Sequence, residues 1–464
     1  MTQVMENKRE QHAHYRRAFD EGKAEQSAPV GGLHAESFVR SLRRRGIERF
    51  DAVGFPTTSQ EEWRLTNVAC IARLPFVPAA PDSSAVSAEI AASFSFDADA
   101  SIELVIVNGR FDAGLSNAGK LPRGLIVSSL AAGIERHVAE IEPHLGHYAQ
   151  IEKNPFVGLN SGFLNDGAFI HISRGTIVEK PIHVIFVSSP GDQPAVSHPR
   201  VLIVADENSQ ATIVESYVGR EGVYWTNAVT EIIVGQNAVI DHCKLQQESL
   251  QAFHVATTSV SLGRQANFVS HSATLGAALT RNDLNVTMAG QGAEATLNGL
   301  VILGGRQHAD NHTLLDHAYP NCPSHELYKH VLSDQSVGVF KGKILVRQPA
   351  QKTDSKQTSK SLLLSDTATM NSQPALEIYA DDVKCTHGST TGPVDEEMVF
   401  YLRSRGVEAE SARHLLSYAF AADVTRRIRV VPVRQRLEDF LAAQHGLPRD
   451  LRITDLGDHN ERAR

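Results

Sequence analysis

The sequence is poor in cysteine. Four are present, Cys70, Cys243, Cys322 and Cys385, and no two form a CxxC pair. That spacing excludes a disulfide framework and fits reduced thiols. Aromatic residues are few, at 6%. No surplus of basic residues marks a nucleic-acid binder: the net charge is −8 and the pI is near 6.2. No run of eighteen apolar residues occurs, so no membrane helix is expected. The charged N-terminus, MTQVMENKREQHAHYRR, lacks the apolar stretch of a secretory signal. A soluble cytoplasmic protein is the expectation. Nucleotide signatures are missing too. The stretch GVFKGKI has the wrong spacing for GxxxxGK[ST] and no Ser or Thr after Lys343. No GxGxxG opens a βα unit and no GxSxG elbow is found. The chain is therefore expected not to hydrolyse ATP itself.

What is present is β-forming sequence in the middle of the chain, rich in Val, Ile, Thr and Ala. At 464 residues the chain predicts two or three domains. Residues 1–155 read as a mixed, partly helical region. Helices are predicted over 8–24 and 34–49, where Leu33, Phe38, Leu42 and Ile47 recur at loosely helical spacing. The segment GFPTTSQEEWRLTNV places a turn and cap before Glu61–Trp63. Pro75–Ser87 reads as a loop or linker. Residues 102–112, IELVIVNGRFD, predict a strand entering an Asn-Gly turn, and a helix is expected near 130–143.

Residues 160–393 repeat. The segments NSQATIVESYV, GQNAVIDHCKL, GRQANFVSHSA and GQGAEATLNGL align on Ala211, Ala238, Ala266 and Ala293, at spacings of 27, 28 and 27 residues. A fixed period in this range signals stacked coils, each too small to bury a face alone. A parallel β-helix is predicted, with a run of hairpins as the alternative. Residues 395–464 predict a helical domain. Asp395 caps a helix whose first turn is acidic and whose last turn carries Arg403 and Arg405, as the helix dipole favours, and Gly406 stops it. A second helix over Glu408–Ala422 places Ala412, Leu415, Leu416, Ala419 and Phe420 on one face, and a third spans Val433–Ala443. The tail ITDLGDHNERAR is polar.

The segment DDVKCTHGSTTGPVDEEMVFYLRSRG, residues 381–406, carries the sharpest chemistry. Cys385 and His387, two apart on an extended strand, point to one side. A thiolate and an imidazole suit iron, copper, zinc or a sulfur acceptor. Two ligands leave coordination incomplete, so such a site needs more from another chain. A packed thiol and a hydrogen-bonded imidazole account for the same residues. A second cluster, His308, His312, His317, Cys322, His325 and His330, reads less well as a metal site. His308 and His312 share a strand face while His317 lies opposite, and HELYKH places its two histidines five apart rather than four. His242–Cys243 is weaker still, because adjacent strand residues point to opposite faces. In the next helix Phe400, Tyr401 and Leu402 are apolar in a row, so at least one faces away from its own core.

The same segment resembles the SufB/SufD family of the SUF iron–sulfur cluster assembly system. The resemblance extends through LNDGAFIHISRGTIVEKPIHVIF (164–186), VGVFKGKILVRQPAQKTDSKQTSKSLLLSD (337–366) and EEWRLTNV (61–68). It is closest to the SufD branch. Thr386–His387–Gly388 stand where SufB-like chains carry Glu-His-Glu. Ser359 and Lys360 stand near the place of a functional cysteine before the apolar run Leu362–Leu364. The resemblance implies a right-handed parallel β-helix flanked by an N-terminal mixed and a C-terminal helical domain. It implies pairing with SufB through the β-helices and docking of SufC, an ABC-type ATPase, on the C-terminal helices through Phe400, Tyr401, Leu402, Arg403, Arg405, Gly406, His414 and Leu415. It places Cys385 and His387 at the SufB interface, as candidate ligands of a transient iron–sulfur cluster shared with SufB. A non-catalytic scaffold follows, with a homodimer as a further expectation for the chain alone. No flavin motif is seen. Two rival readings remain: an architectural adaptor with no ligand role, and a β-helix polysaccharide-active protein, which lacks its usual secretory signal here.

Overall fold

A computed structural model describes residues 14–21, 33–82, 85–96 and 100–444. From Gln210–Gly219 to Asp354–Leu363 the chain deals its strands alternately to two sheets. Within each sheet these strands pair in parallel with the strands of the coils before and after. Among the described residues the sheets hold 12 and 10 strands. This is a parallel β-solenoid, and its core lies between the two sheets. Alternate residues point inward, so Ala211, Ile240, Phe268, Ala295, Ser324, Ser355 and Cys385 stack as one column along the shorter sheet.

One corner of six successive coils turns through a single left-handed residue. Asn208, Asn237, Gln265, Gly292, Asn321 and Lys352 have φ between +55° and +72°, a region that Gly and Asn tolerate best. The Asn237 amide donates to Asn208 Oδ1 at 3.0 Å, tying two coils at this corner. The next residue is small and buried: Ser209, Ala238, Ala266, Ala293, Cys322 and Thr353. Ala238, Ala266 and Ala293 therefore occupy one position, as their spacing predicts. Ala211 does not; it lies two residues further on, paired with Ile240, and Ser209 holds the corner of its coil. Cys322 belongs to the same run of small corner residues.

The solenoid begins earlier than its repeat. Ile102–Val107 and Arg110–Asn117 form an antiparallel hairpin across Asn108 and Gly109, both at positive φ, and join the shorter sheet. Leu125–Ser129 joins the longer sheet in antiparallel pairing. The helix Leu33–Val53 crosses Pro155–Gly162 so closely that a Cβ on Gly46 would lie 2.5 Å from the Gly158 carbonyl. These helices cover the outer face of the longer sheet. The N-terminal helix is described only from residue 14, where Tyr15 is buried beside Phe50 and Phe55. The rest of its predicted span lies outside the described residues, as does the tail.

Pro75–Ser87 is not a linker. Val77 and Pro78 pair with Ala195 and Val196, and helix Ala85–Phe94 follows, with Ser87 fully buried. A proline-rich stretch suits this short edge pairing because few of its amides are needed. The helix expected near 130–143 is two short ones, Leu130–Arg136 and Val138–Ile141. The C-terminal helices are Glu396–Arg403, Ala409–Thr425 and Val431–Gln444. The second and third cover the outer face of the shorter sheet, where Tyr418, Ala421, Ala422 and Val424 meet Cys243, Leu245, Leu300 and Val331. The predicted face is thus only partly right. Ala412 is buried and Leu416 and Phe420 pack, but Ala419 is exposed, because the helix serves two neighbours rather than one. Among the described residues no helix is long and apolar enough to cross a membrane.

Candidate functional site

The last strand of the shorter sheet, Lys384–Pro393, pairs on one side only, with Asp354–Leu363. Cys385 and His387 lie on its inward face, in the columns that pass through Ser355 and Gln357. No further strand stacks over them among the described residues, so Cys385 is half-buried and His387 is exposed. Burial, helped by the Asp354 carboxylate, pushes the Cys385 thiol up. The two residues share a face, as their spacing predicts. Ile378 and Tyr379 are exposed at the same end.

The interior changes character toward this end. In the early coils the inward residues are Ile170, Ile172, Ile182, Val184 and Phe186. Beneath the last strand they are Ser355, Gln357, Ser359 and Ser361, all buried. Ser355 hydrogen-bonds Ser324 at 2.7 Å, and Ser324 hydrogen-bonds His317 Nε2 at 3.0 Å. Gln357 Nε2 donates to Glu326 Oε2 at 2.6 Å. Burial raises the Glu326 carboxyl to about 7, while Thr313 and Gln357 pull it back in part. Midway along the core a second polar group collects. Glu215 accepts from Tyr217 (2.6 Å) and Thr230 and lies 2.9 Å from His242 Nε2. Lys244 donates to Asn282 at 2.7 Å and is lowered to about 8 by burial. A cavity of about 20 Å³ lies beside His242, Lys244 and Asn282, room for a water molecule.

The histidine-rich strands do not converge. His308 and His312 face outward, His317 and His330 inward, and His325 is exposed on the outer face of the other sheet. Among the described residues no three His, Cys, Asp or Glu side chains form a metal-holding group. His308 and His312 have another task that the sequence did not reveal. His308 Nε2 lies 3.0 Å from the Thr66 hydroxyl, and His312 bridges Asp310 (3.1 Å) and Glu62 (3.4 Å). Arg281 pairs with Asp310 and Asp283, donates to the Glu62 carbonyl, and lies over the Trp63 ring at 4.4 Å. The EEWRLTN segment is thus latched onto the solenoid by charge. The near-HExxH stretch lies on a strand, where residues five apart point to opposite faces.

Helix Glu396–Arg403 begins just after the open strand. Asp395 caps it, accepting from the amides of Glu397 (2.9 Å) and Met398 (3.4 Å), and Gly406 at φ +88° ends it. Of the three apolar residues in a row, Leu402 packs toward Leu362, Val399 and Ala412, while Phe400 is 72% and Tyr401 50% exposed. The Arg405 guanidinium stacks on Tyr401 at 3.6 Å. Arg403 and Gly406 are exposed, and His414 and Leu415 are half-buried on the next helix.

Two family models cover nearly all of this framework. Residues 186–420 match the SUF system FeS cluster assembly SufBD core domain, and residues 11–184 match the SufBD protein N-terminal region. An iron–sulfur cluster assembly SufBD family protein of Synechocystis is 32% identical over 431 residues, 90% of this chain and 94% of that one. The iron–sulfur cluster assembly protein SufD of Escherichia coli is 32% identical over 409 residues, 87% and 93% of the two chains. SufD of Bacillus subtilis is 24% identical over 413 residues, 86% and 92%.

Proposed function

The chain belongs to the SufBD family of the SUF iron–sulfur cluster assembly system, and from that premise we propose that it is a SufD-type scaffold subunit whose open solenoid end contributes Cys385 and His387 to a nascent cluster. The observation that carries this reading is the placement of both residues on the inward face of a strand with one free edge. A free edge is a template for a strand from another chain. A SufB-type partner stacked there would cover Ile378 and Tyr379 and supply the missing ligands. The cluster is cargo, held by Cys385 and His387 only while the two chains enclose it. The thiol must give up its proton when it binds iron.

The helix Glu396–Arg403 is the proposed dock for a SufC-type ATPase. Phe400 and Tyr401 present an aromatic pair beside Arg403 and Arg405, the residue types that dominate interface energetics. The chain lacks a Walker signature of its own. ATP-driven closure of two such ATPases would pull on the docked helices and open the solenoid interface. Solenoids contact coil by coil and are stiff enough along their length to pass on such a pull.

The test is anaerobic co-expression with the SufB and SufC homologues, measuring iron and acid-labile sulfide in wild type and His387→Ala. Gel filtration must first show the mutant complex intact. Loss of both from an assembled complex is the expected result. Unchanged iron and sulfide would make this chain an architectural adaptor.

A further inference from the structure

The column below His387 contains a partly satisfied polar group. Gln357 is its neighbour one strand down, in register and on the same inward face. Strand backbones lie about 4.8 Å apart, a gap that side chains stacked on one face bridge. Gln357 is 1% exposed. Its amide nitrogen is committed to Glu326 at 2.6 Å. Its amide oxygen, Oε1, is buried with no hydrogen-bond partner. A buried acceptor left empty is costly and asks for a donor.

The surroundings hold this amide in place. Gly342, on the opposite sheet, leaves the space it fills. A Cβ there would come within 2.2 Å of Gln357 Nε2 and 2.7 Å of Phe340 Cζ. Glu326, itself buried, takes the nitrogen side of the amide through Oε2. The oxygen is what remains for the next coil.

We propose that Gln357 is a positioning residue for His387, accepting a hydrogen bond from one ring N–H through Oε1 and so leaving the other ring nitrogen to bind metal. The inference rests on the reading of His387 as a ligand. A metal-binding imidazole usually donates its second N–H to a carbonyl or carboxylate, which sets its tautomer and orientation. The Glu326–Gln357 pair supplies such an acceptor from inside the solenoid, where no partner chain reaches it. The enclosing partner then completes the ligand set around an imidazole already turned the right way.

The experiment is cobalt(II) titration of the co-expressed three-protein complex, following the absorption bands that report nitrogen and sulfur ligation. Gel filtration and thermal melting check each variant. Gln357→Met keeps the volume and removes the acceptor. It should weaken cobalt binding 10- to 100-fold with the band positions unchanged. Gln357→Glu keeps an acceptor beneath His387 and should recover most of that loss. Gly342→Ala, which displaces the amide without touching its chemistry, should weaken binding in the same direction as Gln357→Met. Equal losses for Gln357→Met and Gln357→Glu would reduce Gln357 to packing. Wild-type affinity in Gln357→Met, with binding lost in His387→Ala, would overturn this inference and leave the ligand reading intact. Wild-type affinity in His387→Ala would overturn the ligand reading itself.

Discussion

The two ends of the solenoid are built on opposite principles. At the N-terminal end each sheet is finished by an antiparallel strand, and the interior is Ile, Val and Phe. At the C-terminal end the last strand keeps a free edge, and the inward residues of the last two strands of the shorter sheet are Ser, Gln, Cys and His, facing Phe340, Ile344 and Val346 of the longer sheet. Burying an Ile or Phe side chain contributes about 1.5–3 kcal/mol. A buried polar side chain that exchanges water for a protein partner contributes only about 1 kcal/mol. The shorter sheet at the second end gains less from burying its own inward residues, which is the property the proposed partner chain would exploit. Sequences give up local consistency mainly at functional sites.

The largest predicted contrast tests that division directly. Phe186→Ala removes a buried ring stacked on Tyr217 at 4.5 Å between centroids and should cost about 3–5 kcal/mol. Ser359→Ala, equally buried near the open end, should cost about 1 kcal/mol or less. Urea unfolding of both variants compares them. Similar losses would mean that the two ends are held together in the same way.

Glu326 sharpens the comparison through pH. Its carboxyl is raised from 4.5 to about 7 by burial, so the folded state holds a proton that the unfolded state releases. The cost of charging it is absent below pH 4.5 and fully present above about 7. Stability therefore falls as pH rises through that window. Between pH 5 and pH 8 wild type should lose, relative to Glu326→Gln, on the order of 3 kcal/mol. Parallel pH–stability curves for the two proteins would show that the polar end carries no such cost.

How much of this was legible in the sequence depended on the range of the signal. The repeat of Ala238, Ala266 and Ala293, the Asn108–Gly109 turn and the Asp395 cap are local and were readable. The polar column was not. The stacking interval runs from 27 residues between Phe268 and Ala295 to 31 between Ser324 and Ser355. A slip of one residue turns a strand inside out, so a period taken from the alanines cannot place Gln357 beneath His387. The uneven interval also put Ala211 two residues off the corner position, still on the inward face. The latch of Glu62 and Thr66 onto Asp310 and His312 spans more than two hundred residues, and no pattern along the chain announces it.

A smaller effect separates surface from core beside the open end. Phe400→Ala removes a ring that touches little of its own chain and should change stability by less than about 0.5 kcal/mol. If the helix is the ATPase dock, the same change should weaken capture of the SufC homologue by about 2 kcal/mol or more. Calorimetry of the isolated chain and pull-down of the purified partner give the two numbers. Undiminished capture would move the dock elsewhere.

The smallest effect concerns how the first region is fastened to the polar half. His312 is lowered by burial and, less strongly, by Arg281, but its bonds to Asp310 and Glu62 leave it raised overall. Glu62 is held at about 2, chiefly by His312 and with help from Lys341. The histidine's contribution is fully present below its ordinary value of 6.5 and is lost as pH rises through the raised one. The Glu62 contribution is present above 4.5 and is lost only toward pH 2. The latch is therefore strongest between about pH 4.5 and 6.5 and weakens on the alkaline side. Glu62 is 62% exposed, so solvent screening limits the change to about 1 kcal/mol or less. Hydrogen exchange of residues 61–66, corrected for intrinsic rates, should show up to about fivefold less protection at pH 8.5 than at pH 6. Strand Gly167–Ile172, at the apolar end, should not change. His312→Gln should remove the pH dependence. Equal alkaline loss in that variant would mean that the pH dependence comes from another group, and that the pairing of His312 with Glu62 and Asp310 plays no part in fastening the segment, which Trp63 packing and the Arg281 ion pairs would then hold.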